Sequence, residues 1–373
     1  MTEVIIWTFT IIIAALYFFQ ISAFTIGWFS IKNNNYTNKI DKIPASVIIA
    51  ARNEEQNIIN CLKCLAVQNY PKEKFEVIIV DDHSTDMTAK LINNFIKKNK
   101  LTNFKYVKNN NKQQGKKSAI TEGIKYSSGD IITTTDADCT MHPEWLNTIC
   151  GYFNNDKTIM VLGPVCLTAK SIFSKMQALE FNSLIGITGG SAALKEPVLA
   201  NGANLSFRKY VFTKFDGYKT GLKYASGDDV FFLQQAKRIK NKNIVFAKDY
   251  NASVFTKPKA NIKDFIKQRM RWAGKTKGFT DFFTLLVAGI AFLNSLSIFT
   301  LALLFAFGAQ WFLMPLLLIA SSKFIIDLPL LSGVSNFFKR PALMFYYPPV
   351  FVLYPFYIVT TAIGSFFYKP EWK

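Results

Sequence analysis

Hydrophobic residues form long uninterrupted runs at the two ends of the chain and shorter runs in its middle. One long run covers residues 4–29. Residues 282–334 hold two more runs, divided near the short uncharged turn at 307–311, and residues 343–368 hold a fourth run that contains prolines. A helix needs roughly 20 apolar residues to cross a bilayer. The pattern therefore predicts four transmembrane helices, the last of them kinked by its prolines.

The middle of the chain alternates between short apolar runs and helical patterns. It predicts strands at residues 45–51, 75–82, 104–109 and 130–138, with helices at about 54–67, 84–98 and 116–127 between them. This alternation is typical of a parallel sheet that is covered by helices on both faces. Sheets of this kind bind their ligands at the carboxyl ends of the strands.

Charge separates the middle of the chain from its ends. The net charge is +19, and 39 of the 44 Lys and Arg residues lie between Lys32 and Lys277. Basic loops stay in the cytoplasm, and Lys32, Lys39 and Lys42 follow the first apolar run. The middle domain and the 335–341 loop are thus predicted inside, with both termini outside. No nucleic-acid motif accompanies the positive charge, so we expect it to face an anionic membrane surface rather than DNA or RNA.

Two smaller features narrow the protein class. The first apolar run lacks the basic start and small-residue cleavage site of a signal peptide, so we expect a retained anchor. Cys61 and Cys64 form one C-x-x-C without a second pair, and His83 and His142 lie far away in sequence. Neither a zinc site nor a redox pair is predicted, and disulfides are not expected in a cytoplasmic domain.

Three of the predicted strands end in polar sequences: "ARNEE", "DDHSTD" and "DADC". Asp136 and Asp138 are two residues apart, so they share a face wherever the chain is extended. Two carboxylates side by side repel each other and require positive charge between them. Mg²⁺ or Mn²⁺ would supply that charge, since these hard cations take carboxylate oxygens and share substrate phosphates. A nucleoside diphosphate is the ligand that this arrangement favours.

Six motifs occur in the order seen in family 2 glycosyltransferases of the GT-A fold: "VIIAARNEE", "VIIVDDHSTD", "GKKSAITEGI", "TTTDADC", "SGDDVFF" and "QRMRW". Over residues 45–280 the chain resembles the membrane-embedded members, which include cellulose, hyaluronan and poly-N-acetylglucosamine synthases and ceramide glucosyltransferases. The resemblance implies an α/β GT-A domain, Rossmann-like with a mixed, mostly parallel sheet, together with transmembrane α-helices.

The resemblance also implies roles for particular residues in donor binding. Asp81 or Asp82 would bind the uracil or ribose of the donor, and Asp136 and Asp138 would hold Mg²⁺ or Mn²⁺ on its diphosphate. The whole implied donor site comprises Arg52, Glu54, Asp81, Asp82, Lys116, Asp136 and Asp138.

For catalysis, the resemblance implies that Asp229 is the base that accepts the proton of the acceptor hydroxyl. Gln268, Arg271 and Trp272 match the Q-x-x-R-W motif. Asp228 stands where the family usually has glutamate, which leaves its role open.

The residue types in "QRMRW" suggest a role independently of the family resemblance. The chain has 38 Lys but only 6 Arg, and two of the six lie in this segment, which favours a need for the planar guanidinium against phosphate. Trp272 offers a flat face to a sugar or lipid headgroup. The same basic, amphipathic segment would equally anchor an interfacial helix.

Lys323 and Asp327 are four residues apart in a predicted membrane helix and therefore share a face. Charges at that depth are costly and often functional, but mutual pairing for helix packing explains these two as well.

Together these observations predict four regions: an N-terminal transmembrane helix (1–31), a cytoplasmic GT-A domain (32–257), an interfacial amphipathic segment (258–281) and a C-terminal transmembrane region of about three helices (282–373). The expected function is inverting transfer of a sugar, from a nucleotide-sugar such as a UDP-sugar, to a lipid or lipid-linked acceptor at the cytoplasmic face of the inner membrane. A processive polysaccharide synthase subunit is the alternative within this class. The rival class is a non-catalytic subunit of an export complex that only binds the nucleotide-sugar. The presence of Asp136, Asp138, Asp229 and a complete Q-x-x-R-W motif argues against this class, because a binding subunit needs no catalytic base.

Overall fold

The computed structural model describes residues 2–32, 42–111, 114–215, 217 and 227–368. Lys39, one of the basic residues that follow the first apolar run, and Ser226, the first residue of "SGDDVFF", lie outside these residues. The chain forms two compact units. We call residues 32–168 and 199–257 the α/β unit, and residues 1–31, 169–198 and 258–370 the helical unit.

The strands all belong to the α/β unit. They are β1 (Ala45–Ala51), β2 (Phe75–Asp81), β3 (Phe104–Lys108), β4 (Ile131–Asp136), β5 (Thr140–Met141), β6 (Thr158–Leu162), β7 (Val165–Leu167), β8 (Leu205–Arg208), β9 (Asn243–Phe246) and β10 (Val254–Thr256). The helices of both units are α1 (Thr2–Ser30), α2 (Ile58–Ala66), α3 (Thr88–Lys98), α4 (Lys116–Lys125), α5 (Trp145–Gly151), α6 (Ile172–Ala193), α7 (Lys209–Lys214), α8 (Asp228–Ala236), α9 (Ile262–Gly274), α10 (Phe282–Ala306), α11 (Leu313–Phe337) and α12 (Tyr347–Gly364).

The main sheet has seven strands in the order β3-β2-β1-β4-β8-β6-β9. The pairs among β3, β2, β1 and β4 are parallel, whereas β8 runs antiparallel to both β4 and β6. The central strands are rich in Val and Ile and are buried on both faces, as a sheet covered by helices requires. The predicted mixed, mostly parallel sheet is therefore confirmed. A small second sheet pairs β10 with β5 and β7.

Two helices of the α/β unit begin later than the sequence pattern predicts. The helix expected from residue 54 begins at Ile58, and the one expected from residue 84 begins at Thr88. Several polar groups near the two helix starts form hydrogen bonds from one loop to the other. Glu54 N–H, for example, donates to Thr88 Oγ1 at 2.8 Å. Loop-to-loop hydrogen bonds thus replace the first turn of each predicted helix.

Among the residues that the structure describes, four helices of the helical unit are long and apolar enough to cross a membrane: Glu3–Ser30, Phe282–Ala306, Gln310–Phe337 and Pro341–Gly364. The break predicted near 307–311 is confirmed, because α10 ends at Ala306 and a short 3-10 turn precedes α11.

Helix α6 belongs to the helical unit, although the boundaries expected from the sequence placed it within the GT-A domain. Small residues let its backbone approach its neighbours closely. A Cβ added at Gly190 would lie 2.2 Å from the carbonyl oxygen of Phe24, and one at Gly27 would lie 2.3 Å from that of Gly190. The backbones of α1 and α6 are therefore in direct contact at this crossing.

The last apolar helix takes a path that its hydropathy does not reveal. At its first turn, Tyr347 Oη donates to the carbonyl oxygen of Phe324, near the middle of α11. At its end, Gly364 packs against Met270 of α9, and Lys277 lies 4.2 Å from the Phe366 ring. Since residues 275–281 lead directly into α10, α12 ends where α10 begins. These contacts favour a re-entrant path for this segment, which enters the membrane and returns to the same side. The sequence had instead predicted a fourth full crossing, with the C-terminus outside.

Lys323 and Asp327 do pair within α11. Lys323 Nζ contacts Asp327 Oδ2 and donates to Tyr17 Oη at 2.8 Å, while Tyr17 Oη donates to Asp327 Oδ1 at 2.9 Å. Helix α1 is thereby joined to α11 through a hydrogen-bonded ion pair, which is the packing role that the sequence left open.

Candidate active site

The polar strand ends lie along one edge of the main sheet. The register aligns Ala51 of β1 with Asp81 of β2, and Ala50 of β1 with Asp136 of β4. Because these strands are parallel neighbours, the residues that follow them emerge together. The edge therefore gathers the loops that contain Arg52, Asp82 and Asp138.

The loops after β1 and β2 hold each other in place. Asn53, whose φ is 54°, accepts from the backbone N–H of Thr85 at 2.9 Å, and its own N–H donates to Ser84 Oγ at 3.1 Å. Glu55 carries the same link further by accepting from the N–H of Met87 at 3.0 Å. Asparagine tolerates the left-handed backbone that this turn needs. The result is a fixed rim at the edge of the sheet.

Asp81 and Asp82 form the buried floor of this edge. Asp81 accepts from Ser84 N–H at 3.2 Å and from Tyr106 Oη at 3.0 Å. Asp82 accepts from Asn109 Nδ2 at 2.7 Å and from the N–H of Gly115 at 2.8 Å. Both carboxylates therefore bind groups of the protein itself and order the loops around them.

Arg52 and Glu54 lie on the β1 side of the edge. Arg52 Nη1 lies 3.9 Å from Asp82 Oδ2, and its buried Nε has no hydrogen-bond partner among the described residues. Burial raises the pKa of Glu54, and the carboxylates of Asp138 and Asp136 raise it further, against a hydrogen bond from Asn57. The charges of the D-x-D pair therefore act on the Glu54 carboxyl group.

Asp136 ends β4, while Asp138 lies in the turn that follows, so the two do not share one extended strand as predicted. Asp138 Oδ2 accepts from Thr256 Oγ1 of β10 at 2.9 Å. Burial raises the pKa of Asp138, and Asp136 adds to the shift. The small second sheet therefore sets the orientation of Asp138.

The positive charge required beside this pair is present as Lys116. Its ammonium contacts Asp136 Oδ1. Burial alone would lower the pKa of Lys116, but Asp136, Asp228 and Asp229 outweigh burial and raise it. Lys116 therefore remains protonated and faces the acidic residues of the site.

The donor set fits a cation that is shared with a diphosphate. Asp136 and Asp138 offer carboxylate oxygens, and the Asp136 side chain is 38% exposed. Among the described residues, no group of three or more His, Cys, Asp or Glu could enclose a metal alone. Mg²⁺ of this type usually takes one or two carboxylates and fills its shell with water and substrate phosphate oxygens.

Asp229 and Lys116 both lie next to Gly202, in a segment that none of the six sequence motifs contains. Gly202 N–H donates to Asp229 Oδ2 at 3.1 Å, and a Cβ at Gly202 would lie 3.3 Å from Lys116 Nζ. Asn204 holds this segment by donating to the carbonyl oxygens of Pro164 and Ala252. The structure thus brings Lys116, which contacts Asp136, and the predicted base Asp229 to the same glycine.

Asp228 points at a different partner. Its Oδ1 lies 4.0 Å from Lys117 Nζ, and it starts α8 after Gly227, whose φ is 97°. Burial raises the pKa of Asp228, and the neighbouring Asp229 raises it further. The two adjacent carboxylates therefore occupy different surroundings.

The Q-x-x-R-W residues Gln268, Arg271 and Trp272 lie on α9. Helix α9 belongs to the helical unit, whereas the predicted donor site and Asp229 belong to the α/β unit. Within the helical unit, the arginine that is buried is Arg269 rather than Arg271. Its guanidinium lies over the rings of Phe265 and Trp272, and it pairs with Glu180 of α6.

Three contacts were missed by reasoning from the sequence: those of Gly202, Thr256 and Arg269. Gly202 lies in the segment "NGAN", shortly before the buried Phe207 and before Arg208, whose Nη2 donates to the carbonyl oxygen of Phe153 at 2.7 Å. A glycine between two asparagines indicates close backbone approach, which was the available signal. Thr256 gave no comparable signal.

The fold and the site define the class: an α/β enzyme fold of GT-A type with acidic residues at the strand ends. The sequence matches "Glycosyl transferase family 2" over residues 46–214 and "Glycosyl transferase family group 2" over residues 131–363. The chain belongs to the family 2 glycosyltransferases, and it is a glycosyltransferase enzyme.

Several curated proteins are similar to this chain. A dolichyl N-acetyl-alpha-D-glucosaminyl phosphate 3-beta-D-2,3-diacetamido-2,3-dideoxy-beta-D-glucuronosyltransferase of Methanococcus voltae is 30% identical over 62% of this chain and 72% of that protein. The poly-beta-1,6-N-acetyl-D-glucosamine synthase of Staphylococcus epidermidis is 30% identical over 61% of this chain and 53% of the synthase. The probable glycosyltransferase YdaM of Bacillus subtilis is 31% identical over 46% of this chain, and the match spans less than half, 42%, of that relative.

Among solved structures, the mannosyltransferase PcManGT from Pyrobaculum calidifontis, in complex with GDP-Man and Mn²⁺, has the same fold. It superposes with a TM-score of 0.64 at 15% identity, over 98% of this chain and 100% of that chain.

Proposed function

We propose that this enzyme is a membrane-bound inverting glycosyltransferase that moves one sugar from a UDP-sugar to a lipid or lipid-linked acceptor at the cytoplasmic face of the inner membrane. The observation that carries the proposal is the pairing of Asp136 with Lys116, and of Asp229 with the N–H of Gly202, around a single backbone segment. A diphosphate site and a base are the two parts that direct displacement at an anomeric carbon requires.

The chemistry follows from these groups. The acceptor oxygen attacks the anomeric carbon from the face opposite the leaving diphosphate, so one C–O bond forms while the other breaks and the configuration inverts. Asp229 accepts the proton of the acceptor hydroxyl, and the hydrogen bond from Gly202 holds one of its oxygens in place. The Lys116 ammonium stabilises the charge that develops on the leaving diphosphate. When Mg²⁺ or Mn²⁺ is bound by Asp136 and Asp138, it supplies further positive charge there.

Two observations support a lipid acceptor and a membrane location. Four helices are long and apolar enough to cross a bilayer. The relative from Methanococcus voltae, of which the match covers 72%, is named for transfer to a dolichyl-linked sugar phosphate. Sugar transfer to a lipid-linked acceptor needs an active site at the membrane surface, and membrane helices in the same chain would hold it there.

Polysaccharide synthesis is the second candidate. It is favoured by the similarity to poly-beta-1,6-N-acetyl-D-glucosamine synthases, although the match covers only 53% of the Staphylococcus epidermidis protein.

The test is a transfer assay with purified full-length protein, a panel of UDP- and GDP-sugars, a lipid extract and product analysis by mass. We expect one UDP-sugar to add a single sugar mass to a lipid, and a chelator to abolish the product. A ladder of products would support the synthase instead. Transfer from a GDP-sugar alone would overturn the donor assignment, and no transfer from any donor would overturn the proposed activity.

A further inference from the structure

A buried ionic cluster connects α6, α9 and α12 of the helical unit. At its centre is Arg269, which is 6% exposed and whose guanidinium carbon lies 4.5 Å from the Phe265 ring centroid and 4.3 Å from that of Trp272. The side chain is therefore stacked between two aromatic rings, one of which belongs to the Q-x-x-R-W motif.

The polar contacts of Arg269 reach a second residue of the same motif. Its Nη2 contacts Glu180 Oε2 on α6, and its Nη1 donates to Gln268 Oε1 at 3.0 Å. The other oxygen of Glu180 accepts from Tyr357 Oη of α12 at 2.7 Å. One guanidinium thus joins Gln268 and Trp272 to two neighbouring helices.

Stability alone does not explain this cluster. A buried ion pair is often no more stabilising than well-packed apolar residues of similar volume, because desolvation offsets the attraction. A guanidinium does what neither lysine nor an apolar residue does, since its planar fork donates in two directions while its faces stack on rings. Lysine outnumbers arginine 38 to 6 in this chain, so arginine at position 269 suggests a requirement for that geometry.

We propose that Arg269, Glu180 and Tyr357 are positioning residues for the Q-x-x-R-W motif. They fix the orientation of the Gln268 amide and the Trp272 ring, so that α6 and α12 determine how the motif is presented. The effect on activity rests on the proposed glycosyl transfer, whereas the effect on side-chain orientation does not.

The experiment follows the Trp272 side chain directly. The full-length protein in detergent is labelled with 5-fluorotryptophan, and Trp272→Phe identifies the ¹⁹F resonance of Trp272 among the six tryptophans. Arg269→Lys keeps the charge and removes the fork and the stacking. We expect it to shift or broaden the Trp272 resonance, leave the other resonances in place, and lower kcat by about 10²-fold, the usual cost of misplacing a group by about 1 Å. Glu180→Gln should act in the same direction, and Tyr357→Phe more weakly.

Asp327→Asn is the matched control, because it disrupts another buried ion pair of the same unit, between two residues of α11. It should lower thermal stability but leave the Trp272 resonance and the kcat of the folded enzyme unchanged. An unmoved Trp272 resonance in Arg269→Lys would overturn the proposal. An equal shift in Asp327→Asn would overturn it too, since general loosening would then explain both. If wild type transfers no sugar, the proposed function fails while the resonances still decide the positioning role.

Discussion

At the scale of single residues, the α/β unit concentrates charge around Lys116. Asp136 binds its ammonium directly, and Gly202 lies against both this ammonium and Asp229. Asp138 is oriented from elsewhere, by the hydroxyl of Thr256. The proposed diphosphate site is thus assembled from groups on several different elements, each with its own hydrogen-bond support.

Asp138→Ala removes one of the two carboxylates predicted to hold the divalent cation. We expect sugar transfer to be lost and UDP binding in Mg²⁺ or Mn²⁺ to weaken, because the cation would have lost a ligand, while far-UV circular dichroism stays unchanged. Transfer and metal-dependent UDP binding check this. Wild-type transfer by the variant, or wild-type activity in the presence of chelator, would show the metal assignment to be wrong.

Sequence reasoning at this scale depends on local signals. Asp136, Asp138 and Asp229 lie in short motifs and could be singled out without a structure. Gly202 and Thr256 could not, because their partners are 27 and 118 residues away. The burial of Arg269 was missed because it depends on Glu180, a distant residue on another helix.

At the scale of elements, Glu76 connects β2 to three neighbours. It accepts from Ser46 Oγ of β1 at 2.7 Å, pairs with Lys105 of β3 at 2.6 Å, and accepts from Ser128 Oγ before β4 at 2.7 Å. Burial alone would raise its pKa, but these hydrogen bonds outweigh burial and lower it to about 2.

Glu76→Gln should therefore lower the free energy of unfolding by roughly 2 kcal/mol near neutral pH, since hydrogen bonds to a charged group are lost. A depressed pKa stabilises the fold above the unfolded pKa of about 4.3, and this contribution disappears as pH falls toward 2. Thermal denaturation across pH measures it: the Tm difference between wild type and variant should be largest above about pH 5 and should shrink on acidification. A constant difference would contradict the assigned role.

The crossing of α1 and α6 provides a second test. Gly27→Ala places a methyl group against the carbonyl oxygen of Gly190, so the helices must separate, and stability should fall by about 1–3 kcal/mol. Gly289→Ala in α10 is the matched control, because a Cβ there has no heavy atom within 4 Å. Alanine favours helix over glycine, so the control should be neutral or slightly stabilising. Equal denaturation midpoints for the two variants would exclude the close crossing.

The fold was predictable from the sequence where periodicity decides it, as for β1, β2 and β4 and the long apolar helices. Helix α6 was not assigned to the helical unit, because Glu180 and several small residues make it look unlike a membrane helix. The starts of α2 and α3 were misplaced because Glu54 and Thr88 form hydrogen bonds across loops instead of capping helices.

At the scale of the whole molecule, the helices determine on which side of the membrane each loop lies. Cysteines introduced at 307–311 should react with an impermeant thiol reagent outside cells, and those at 335–338 should not, because basic loops stay inside. The contacts of α12 with α9 lead us to expect that Phe367→Cys behaves like the 335–338 loop. External labelling at position 367 would instead support a full fourth crossing. Labelling at 335–338 but not at 307–311 would show that the predicted orientation of the protein in the membrane is wrong.

The central claim is that Asp229 accepts the acceptor proton, and Asp229→Asn tests it most directly because it keeps the volume and removes the basicity. General-base catalysis is typically worth about 10²–10⁴-fold, so kcat should fall by that order while UDP affinity stays within a few-fold. Asp228→Asn is the control, since its carboxylate faces Lys117, and its loss should be smaller. An inactive Asp228→Asn beside an active Asp229→Asn would move the base by one residue. Full activity in both would contradict the proposed mechanism.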